Sequence, residues 1–190
     1  MKKELRKEAL AKRDAMSLEE REEKSRRITA HILQSEAYEN AKRVFTFVSM
    51  GSEVETREIM AQAWKDGKIV AVPKTEKGRE MYFLSIESLE DLKEGRFGVM
   101  EPLGEKEDAL IPEKGDLFLV PGALFDRKKN RIGYGGGYYD TYFEKYKGYG
   151  KIGLAFKMQM CEGFLPMQGF DIPLDGIVTE NGWMGGMKDE

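Results

Sequence analysis

The sequence predicts an α/β protein: a sandwich around a mostly parallel central sheet. Three observations carry this. Two short β-branched and aromatic runs, Val44-Phe45-Thr46-Phe47-Val48 and Ile69-Val70-Ala71-Val72, bracket a helical segment, and strand, helix, strand requires a crossover between parallel neighbours. The pattern resumes at Asp116-Leu117-Phe118-Leu119-Val120 with loop, helix and further strands behind it. A chain of 190 residues that is 41% hydrophobic and 34% charged closes one core, with no linker or repeat to divide it. A single domain over 1–190 is expected.

Residues 2–16 read as a helix, and Ser17 with Glu20 has the capping-box spacing that starts a second helix through about residue 35. This helical pair, 1–35, is expected to pack on the core. Its first 27 residues are heavily charged in both signs, the pattern of a solvated face laced with i,i+4 ion pairs. Strand 44–48 ends at the turn-like Ser49-Met50-Gly51-Ser52. A helix follows from Thr56 to Asp66, terminated by Gly67 in a left-handed conformation, and the strand at 69–72 is ended by Pro73. Met81 to Ile86 alternates loosely and reads as an added strand in an excursion reaching residue 113. After strand 116–120 come a polar, glycine-rich loop, a short helix from Gly137 to Tyr146, and strands at 151–156 and 176–179, which completes a five-strand layer. From Asn181 onward the polar, glycine-bearing tail is expected to fray.

Composition narrows the chemistry. Thirty-one basic and 34 acidic side chains give a net charge of −3, which disfavours a general grip on nucleic acid. Cys161 is the single cysteine, so no internal disulfide exists and a reducing cytosol is expected; the thiol itself reads as packing. The amino terminus is charged with no apolar stretch behind it, and no apolar run reaches membrane-spanning length. His31 is the only histidine, and it lies in a charged helix far from any nucleophile motif. Triads and histidine-rich zinc sites are thereby disfavoured. The remaining tools are carboxylates, Lys, Arg, Tyr hydroxyls, backbone amides and a hard metal such as Mg²⁺, which suit phosphate chemistry.

The segment Val120-Pro-Gly-Ala-Leu-Phe-Asp-Arg-Lys-Lys-Asn-Arg-Ile-Gly-Tyr-Gly-Gly-Gly-Tyr-Tyr-Asp-Thr-Tyr142 stands apart. It leaves the carboxyl end of a strand, where open α/β sheets place ligands, and enters the amino end of a helix, whose amides favour anions. Gly133, Gly135, Gly136 and Gly137 let backbone amides turn toward a phosphate, and Arg131, with Lys128 and Lys129 nearby, adds positive charge. A flexible surface loop has the same composition. The spacing fits neither G-x-x-x-x-G-K-[ST] nor G-x-G-x-x-G. Asp140, in the first helical turn, is favoured there by the dipole alone, and beside a phosphate loop it is also well placed for Mg²⁺. Asp175 is a possible second carboxylate that on spacing alone is a turn residue.

The loop, in the form Val-Pro-Gly, Phe-Asp and Arg-Ile-Gly-Tyr-Gly-Gly-Gly-Tyr-Tyr-Asp, resembles the signature of the 5-formyltetrahydrofolate cyclo-ligase family, also called 5,10-methenyltetrahydrofolate synthetases. Other pieces fall in the family's order: Lys2 to Arg6, Ser49 with Glu53-Val54-Glu55-Thr56, Gly67-Lys68 with Val72-Pro73, Glu101-Pro102, Gly153-Leu154-Ala155-Phe156 with Gln159, and Asp175 with Val178-Thr179-Glu180. The match spans nearly the whole chain.

The resemblance implies a three-layer α/β fold similar to the ribose-phosphate isomerase and CoA-transferase group. It also implies an ATP- and Mg²⁺-dependent closure of 5-formyltetrahydrofolate to 5,10-methenyltetrahydrofolate with release of ADP and phosphate. The formyl oxygen attacks the γ-phosphate, N10 closes on the activated carbon, and phosphate departs. Such a transfer needs positioning and charge neutralisation more than a histidine.

Carried over by position, Lys2, Lys3, Glu4, Leu5 and Arg6 would meet ATP from the first helix. Arg131, Ile132, Gly133, Tyr134, Gly135, Gly136, Gly137, Tyr138 and Tyr139 would wrap the triphosphate. The catalytic set would be Arg131, Tyr138 and Tyr139, with Arg131 as the electrostatic clamp and the two tyrosines at the formyl site. Val48, Glu53, Phe97, Tyr134, Gly135, Gly136, Gly137 and Tyr138 would hold the folate, with Glu53 on the N–H edge of the pterin ring. Asp140 and Asp175 would hold Mg²⁺. Polyglutamylated folates are possible substrates; neither nucleic acid nor membrane is an expected partner; and the protein would be a cytoplasmic monomer or weak homodimer. Thr141 stands where the family commonly has a basic residue, and Phe97 where some relatives have Trp. A sugar-phosphate isomerase or sensor of the same fold, and a protein that binds ATP or folate without turnover, are the competing readings.

Overall fold

The structure, a computed structural model, describes residues 1–184. Helix α1 (Lys2–Asp14) precedes α2 (Leu18–Leu33), whose Ser17 Oγ accepts the Glu20 amide at 3.1 Å. Such a cap is worth about 1 kcal/mol. The segment expected to finish the second helix breaks at Ser35, which caps a separate helix α3 (Glu36–Asn40). Strand β1 (Arg43–Thr46), helix α4 (Arg57–Lys65) and strand β2 (Ile69–Glu76) form the expected crossover unit, and Gly67 takes φ 74° at the helix end.

Pro73 does not end β2. The strand pairs with β1 only through Ala71, and beyond that it continues against the antiparallel strand β3 (Glu80–Ile86). The missing Pro73 amide therefore removes no bond from the parallel ladder. The excursion to residue 113 holds a hairpin of β4 (Leu92–Glu94) and β5 (Met100–Pro102). After β6 (Leu117–Val120), the glycine-rich segment contains a second hairpin, β7 (Leu124–Phe125) with β8 (Arg131–Ile132), then helix α5 (Tyr138–Lys145). Strands β9 (Gly150–Leu154) and β10 (Gly176–Thr179) follow. The tail does not fray at once, because β11 (Gly182–Met184) turns back on Gly182 (φ 107°) and pairs antiparallel with β10. The rest of the expected frayed tail, residues 185–190, lies outside the described residues.

The sheet therefore has seven strands, in the order β11-β10-β9-β6-β1-β2-β3. Its five inner strands are parallel and each edge is antiparallel. Alternate residues divide between its faces. Val44, Val70, Leu117 and Leu119 meet Ile28, Ile32, Ile59 and Met60 of α2 and α4 on one side. On the other, Phe45, Ala71, Phe83 and Phe118 meet Tyr142 and Phe143 of α5. Three layers result. Phe45 and Phe118 stack with centroids 4.5 Å apart, and Phe118 meets Phe143 edge-on at 5.4 Å. Each fully buried ring contributes about 1.5–3 kcal/mol. Helix α1 packs separately, with Leu5 and Ala9 against Leu124, Ile132 and Leu165. His31 sits half-buried in the last turn of α2, and Cys161 is half-buried beside that α1 cluster.

Candidate active site

A cavity of about 1100 Å³ opens where the inner strands end. Its walls come from the loop after β1, the turn after β2, residue 121 after β6, the glycine loop and start of α5, helix α1, and residues 168–171. This is the carboxyl-end placement that parallel sheets give their ligands.

Helix α1 is held over the cavity by Arg13, which is buried. Its Nε donates to Ser52 Oγ at 2.8 Å and its Nη1 to the Tyr134 hydroxyl at 2.9 Å, and the Ser52 hydroxyl donates to Asp14. Arg6, about two turns closer to the amino terminus, donates Nε to the Gly133 carbonyl at 2.7 Å. Lys2 pairs with Asp171, whose carboxylate also accepts the Gln168 amide at 2.6 Å.

The glycine loop is a crossing point for cations. Arg131 is buried, only 8% exposed, donates Nη1 to the Pro121 carbonyl at 2.9 Å, and lies 5.1 Å from the centre of the Tyr139 ring. Among the described residues no carboxylate forms an ion pair with it. Burial draws its guanidinium below the usual arginine value, opposed by Asp140 and the tyrosines around it. Gly135 (φ 100°) and Gly137 (φ 72°) adopt backbone conformations that favour glycine, and Gly137 is the N-cap of α5. Burial pushes the Tyr134 and Tyr139 phenols up, so both are neutral hydrogen-bond donors at pH 7.

The opposite side is more apolar. Phe47, Val48, Pro73, Met81, Phe97 and Val99 line it. Glu53 stands beside them, accepting the Met50 amide at 2.9 Å. Burial raises its carboxyl above the ordinary glutamate range, against the pull of that amide and Arg13. Phe97 is 72% exposed and has φ 59°, so the ring is presented at the rim rather than packed in a core. Tyr138 reaches toward the Glu76 carbonyl at 3.5 Å.

Most sequence-nominated residues thus meet at one cavity: Lys2, Arg6, Val48, Glu53, Phe97, Arg131, Ile132, Gly133, Tyr134, Gly135, Gly136, Gly137, Tyr138, Tyr139 and Asp140. Four do not. Lys3 and Glu4 are exposed and off its wall, with Glu4 paired to the amino terminus, because successive residues on a helix face different ways. Leu5 points into the α1 packing cluster. Asp175, expected beside Asp140, precedes β10 at the amino end of the parallel strands and is off the wall. Its carboxylate takes the Lys151 amide at 2.8 Å and the Lys151 ammonium at 3.1 Å.

Asp140 accepts the Ile172 amide through Oδ1 at 3.0 Å, which leaves Oδ2 with no hydrogen bond among the described residues. No group of three or more His, Cys, Asp or Glu among the described residues is arranged to hold a metal. One carboxylate fits Mg²⁺ that draws its other ligands from phosphate oxygens and water. Asp175 does not add to that set. Arg13, Arg79, Glu101 and Asp171 are also on the wall without having been nominated. Arg13 carried a signal, since its i,i+4 and i,i+7 partners Ala9 and Arg6 define one face of α1. Asp171 had none, because it lies in an irregular segment.

Comparisons with known proteins find relatives over nearly the whole chain. The model of the 5-formyltetrahydrofolate cyclo-ligase family matches residues 1–180. A mouse 5-formyltetrahydrofolate cyclo-ligase is 33% identical over 192 residues, covering 95% of this chain and 94% of its own. A Haemophilus influenzae protein of the same name is 30% identical over 156 residues, covering 80% and 83%. Among solved structures, Aquifex aeolicus 5,10-methenyltetrahydrofolate synthetase superposes with a TM-score of 0.85 at 33% identity, over 100% of this chain and 94% of that one. A Mycoplasma pneumoniae 5,10-methenyltetrahydrofolate synthetase shares the fold at 24% identity, with a TM-score of 0.72 over 94% and 98%. With its glycine loop, its arginines and its carboxylate placed around one cavity, and with these matches over nearly its full length, the chain belongs to the 5-formyltetrahydrofolate cyclo-ligase family.

Proposed function

We propose that this protein closes 5-formyltetrahydrofolate to 5,10-methenyltetrahydrofolate at the expense of ATP, in the cavity at the ends of β1 and β6. The observation that carries this is the placement of opposite charges around one cavity: buried Arg131, which forms no ion pair among the described residues, and half-buried Glu53 on the apolar side. A buried charge that the fold leaves unpaired is costly, and a ligand of opposite charge removes that cost. The triphosphate answers Arg131, Arg6 and Lys2. The pterin's adjacent N–H donors answer Glu53.

The formyl oxygen attacks the γ-phosphorus, the bond to the bridging oxygen breaks, and ADP leaves. N10 then bonds to the activated formyl carbon, phosphate departs with the former formyl oxygen, and the N10 proton is released. Arg131 and the loop amides hold the charge that develops on the transferred group. The phenols of Tyr138 and Tyr139 donate hydrogen bonds at the formyl side, and Val48 and Phe97 pack the folate. Asp140 would hold Mg²⁺, which would supply positive charge to neutralise the triphosphate. All the residues in this scheme come from one chain, so one copy suffices. Among the described residues no helix is long and apolar enough to cross a membrane.

Paired variants test the assignment of the two sides. Glu53→Gln is expected to raise KM for 5-formyltetrahydrofolate and leave KM for ATP within twofold, and Arg131→Ala to do the reverse. If both variants raise both constants equally, the ligands have been given the wrong walls.

A further inference from the structure

Three alternate glycines of the loop each have an arginine where a side chain would be. A Cβ on Gly133 would lie 2.9 Å from Arg131 Nη1, one on Gly135 would lie 3.4 Å from Arg6 Nη1, and one on Gly137 would lie 3.4 Å from Arg79 Cδ. These arginines come from β8, from α1 and from the turn between β2 and β3, three elements far apart in sequence. Two of them have a part in the scheme above. Arg79 does not.

Arg79 differs from the other two in how it is held. Arg6 and Arg131 are fixed by backbone carbonyls, those of Gly133 and Pro121. Arg79 makes no hydrogen bond or ion pair among the described residues, and the acidic residues nearest it in sequence are engaged elsewhere. Glu76 accepts the Tyr82 hydroxyl at 2.8 Å, and Glu80 pairs with Lys106. Arg79 is exposed on the cavity wall and its φ of 63° puts a non-glycine residue in the left-handed region. Such a conformation is costly for a residue with a side chain and is kept where the site gains from it. Its guanidinium also lies alongside Gly137, the N-cap of α5, where the helix dipole disfavours a cation unless an anion sits between them.

Resting on the reading of this cavity as an ATP site, we propose that Arg79 is a third phosphate-binding arginine, the movable one, which closes on the terminal phosphoryl group during transfer. Arg6 and Arg131 define the fixed side of the triphosphate site. Arg79 adds its charge from the opposite hairpin as the formyl oxygen bonds to the γ-phosphorus and the electron pair of the breaking bond moves to ADP. Arg79 moves no proton. An exposed side chain with no partner of its own suits a contact made only with the transferred group.

The test uses the full chain with Arg79→Gln and Arg79→Lys, read by steady-state kinetics and by titration with ATP and with ADP in Mg²⁺. Arg79→Gln is expected to lower kcat by about 10²-fold, the effect of losing one preorganised charge-stabilising donor. ATP affinity should fall by about tenfold, the size of one such contact. ADP affinity and KM for 5-formyltetrahydrofolate should stay within twofold, and Arg79→Lys should recover part of kcat. An unchanged kcat, or an equal loss of ATP and ADP affinity, overturns the proposal. A raised KM for the folate with unchanged ATP affinity also overturns it, assigning Arg79 to the substrate's glutamate carboxylates. If the wild-type protein shows no ATP-dependent turnover, the cyclo-ligase reading fails. The difference between ATP and ADP affinities still decides whether Arg79 meets the γ-phosphate.

Discussion

Arg131 shows what a binding site costs its fold. Its guanidinium is buried and its pKa lies below the usual value because of that burial, so the charged form is less stable in the folded protein than in the unfolded chain. Arg131→Met is therefore expected to weaken ATP binding by about 10–100-fold, the loss of a charge-assisted contact. The thermal midpoint should stay level or rise, as calorimetry would show. A lower midpoint with ATP binding intact would make Arg131 a structural residue. Glu53 obeys the same logic with opposite sign. Its folded carboxyl is raised by burial, so its contribution to stability is full below the unfolded pKa and is lost as pH rises through the folded one. At pH 7 Glu53→Gln should not lower the melting temperature. Folate binding, which needs the ionised form, should weaken on acidification at a higher pH than an ordinary glutamate would dictate, and a titration of folate affinity against pH checks this.

At the scale of elements, the site depends on how α1 and the glycine loop are tied to the sheet. Arg13 joins α1 to the Ser52 hydroxyl and to Tyr134, so Arg13→Ala is expected to cost about 2–3 kcal/mol in urea denaturation and to weaken ATP and folate together. Gly137 combines φ 72° with the nearby Arg79 side chain. Gly137→Ala should cost about 1–2 kcal/mol for the left-handed conformation and lower kcat by displacing Arg79. The inner strands, the start of the second helix and the glycine loop were legible because each is specified locally, by a short apolar run, a serine cap or clustered glycines. Pro73 misled because a proline stops only the ladder it would have joined, and which side that is depends on the partner strand. Strand β11 and the β7–β8 hairpin escaped notice because two- and three-residue strands carry no period. Asp175 misplaced the metal pair, since nothing in its neighbourhood in sequence reveals that Lys151 is opposite it. The helix period explains why Lys2 and Arg6 face the cavity while Lys3, Glu4 and Leu5 between them do not.

For the whole molecule, the five parallel strands end together, and a helix from the start of the chain, a hairpin turn from its middle and a loop from its last third converge there. Folding and ligand binding are therefore linked. Saturating ATP at about 100 times its Kd should add roughly 2.7 kcal/mol of stability. That gain should shrink when EDTA removes Mg²⁺, and Asp140→Asn should show the small gain in both conditions. The measurement that tests the central claim most directly is a steady-state assay of the purified protein with 5-formyltetrahydrofolate, ATP and Mg²⁺. It follows the near-ultraviolet absorbance of the methenyl product and omits each component in turn. The account predicts turnover that requires all three and releases one ADP per product. Product formed without ATP, or no product from folded protein that binds both ligands, would contradict it.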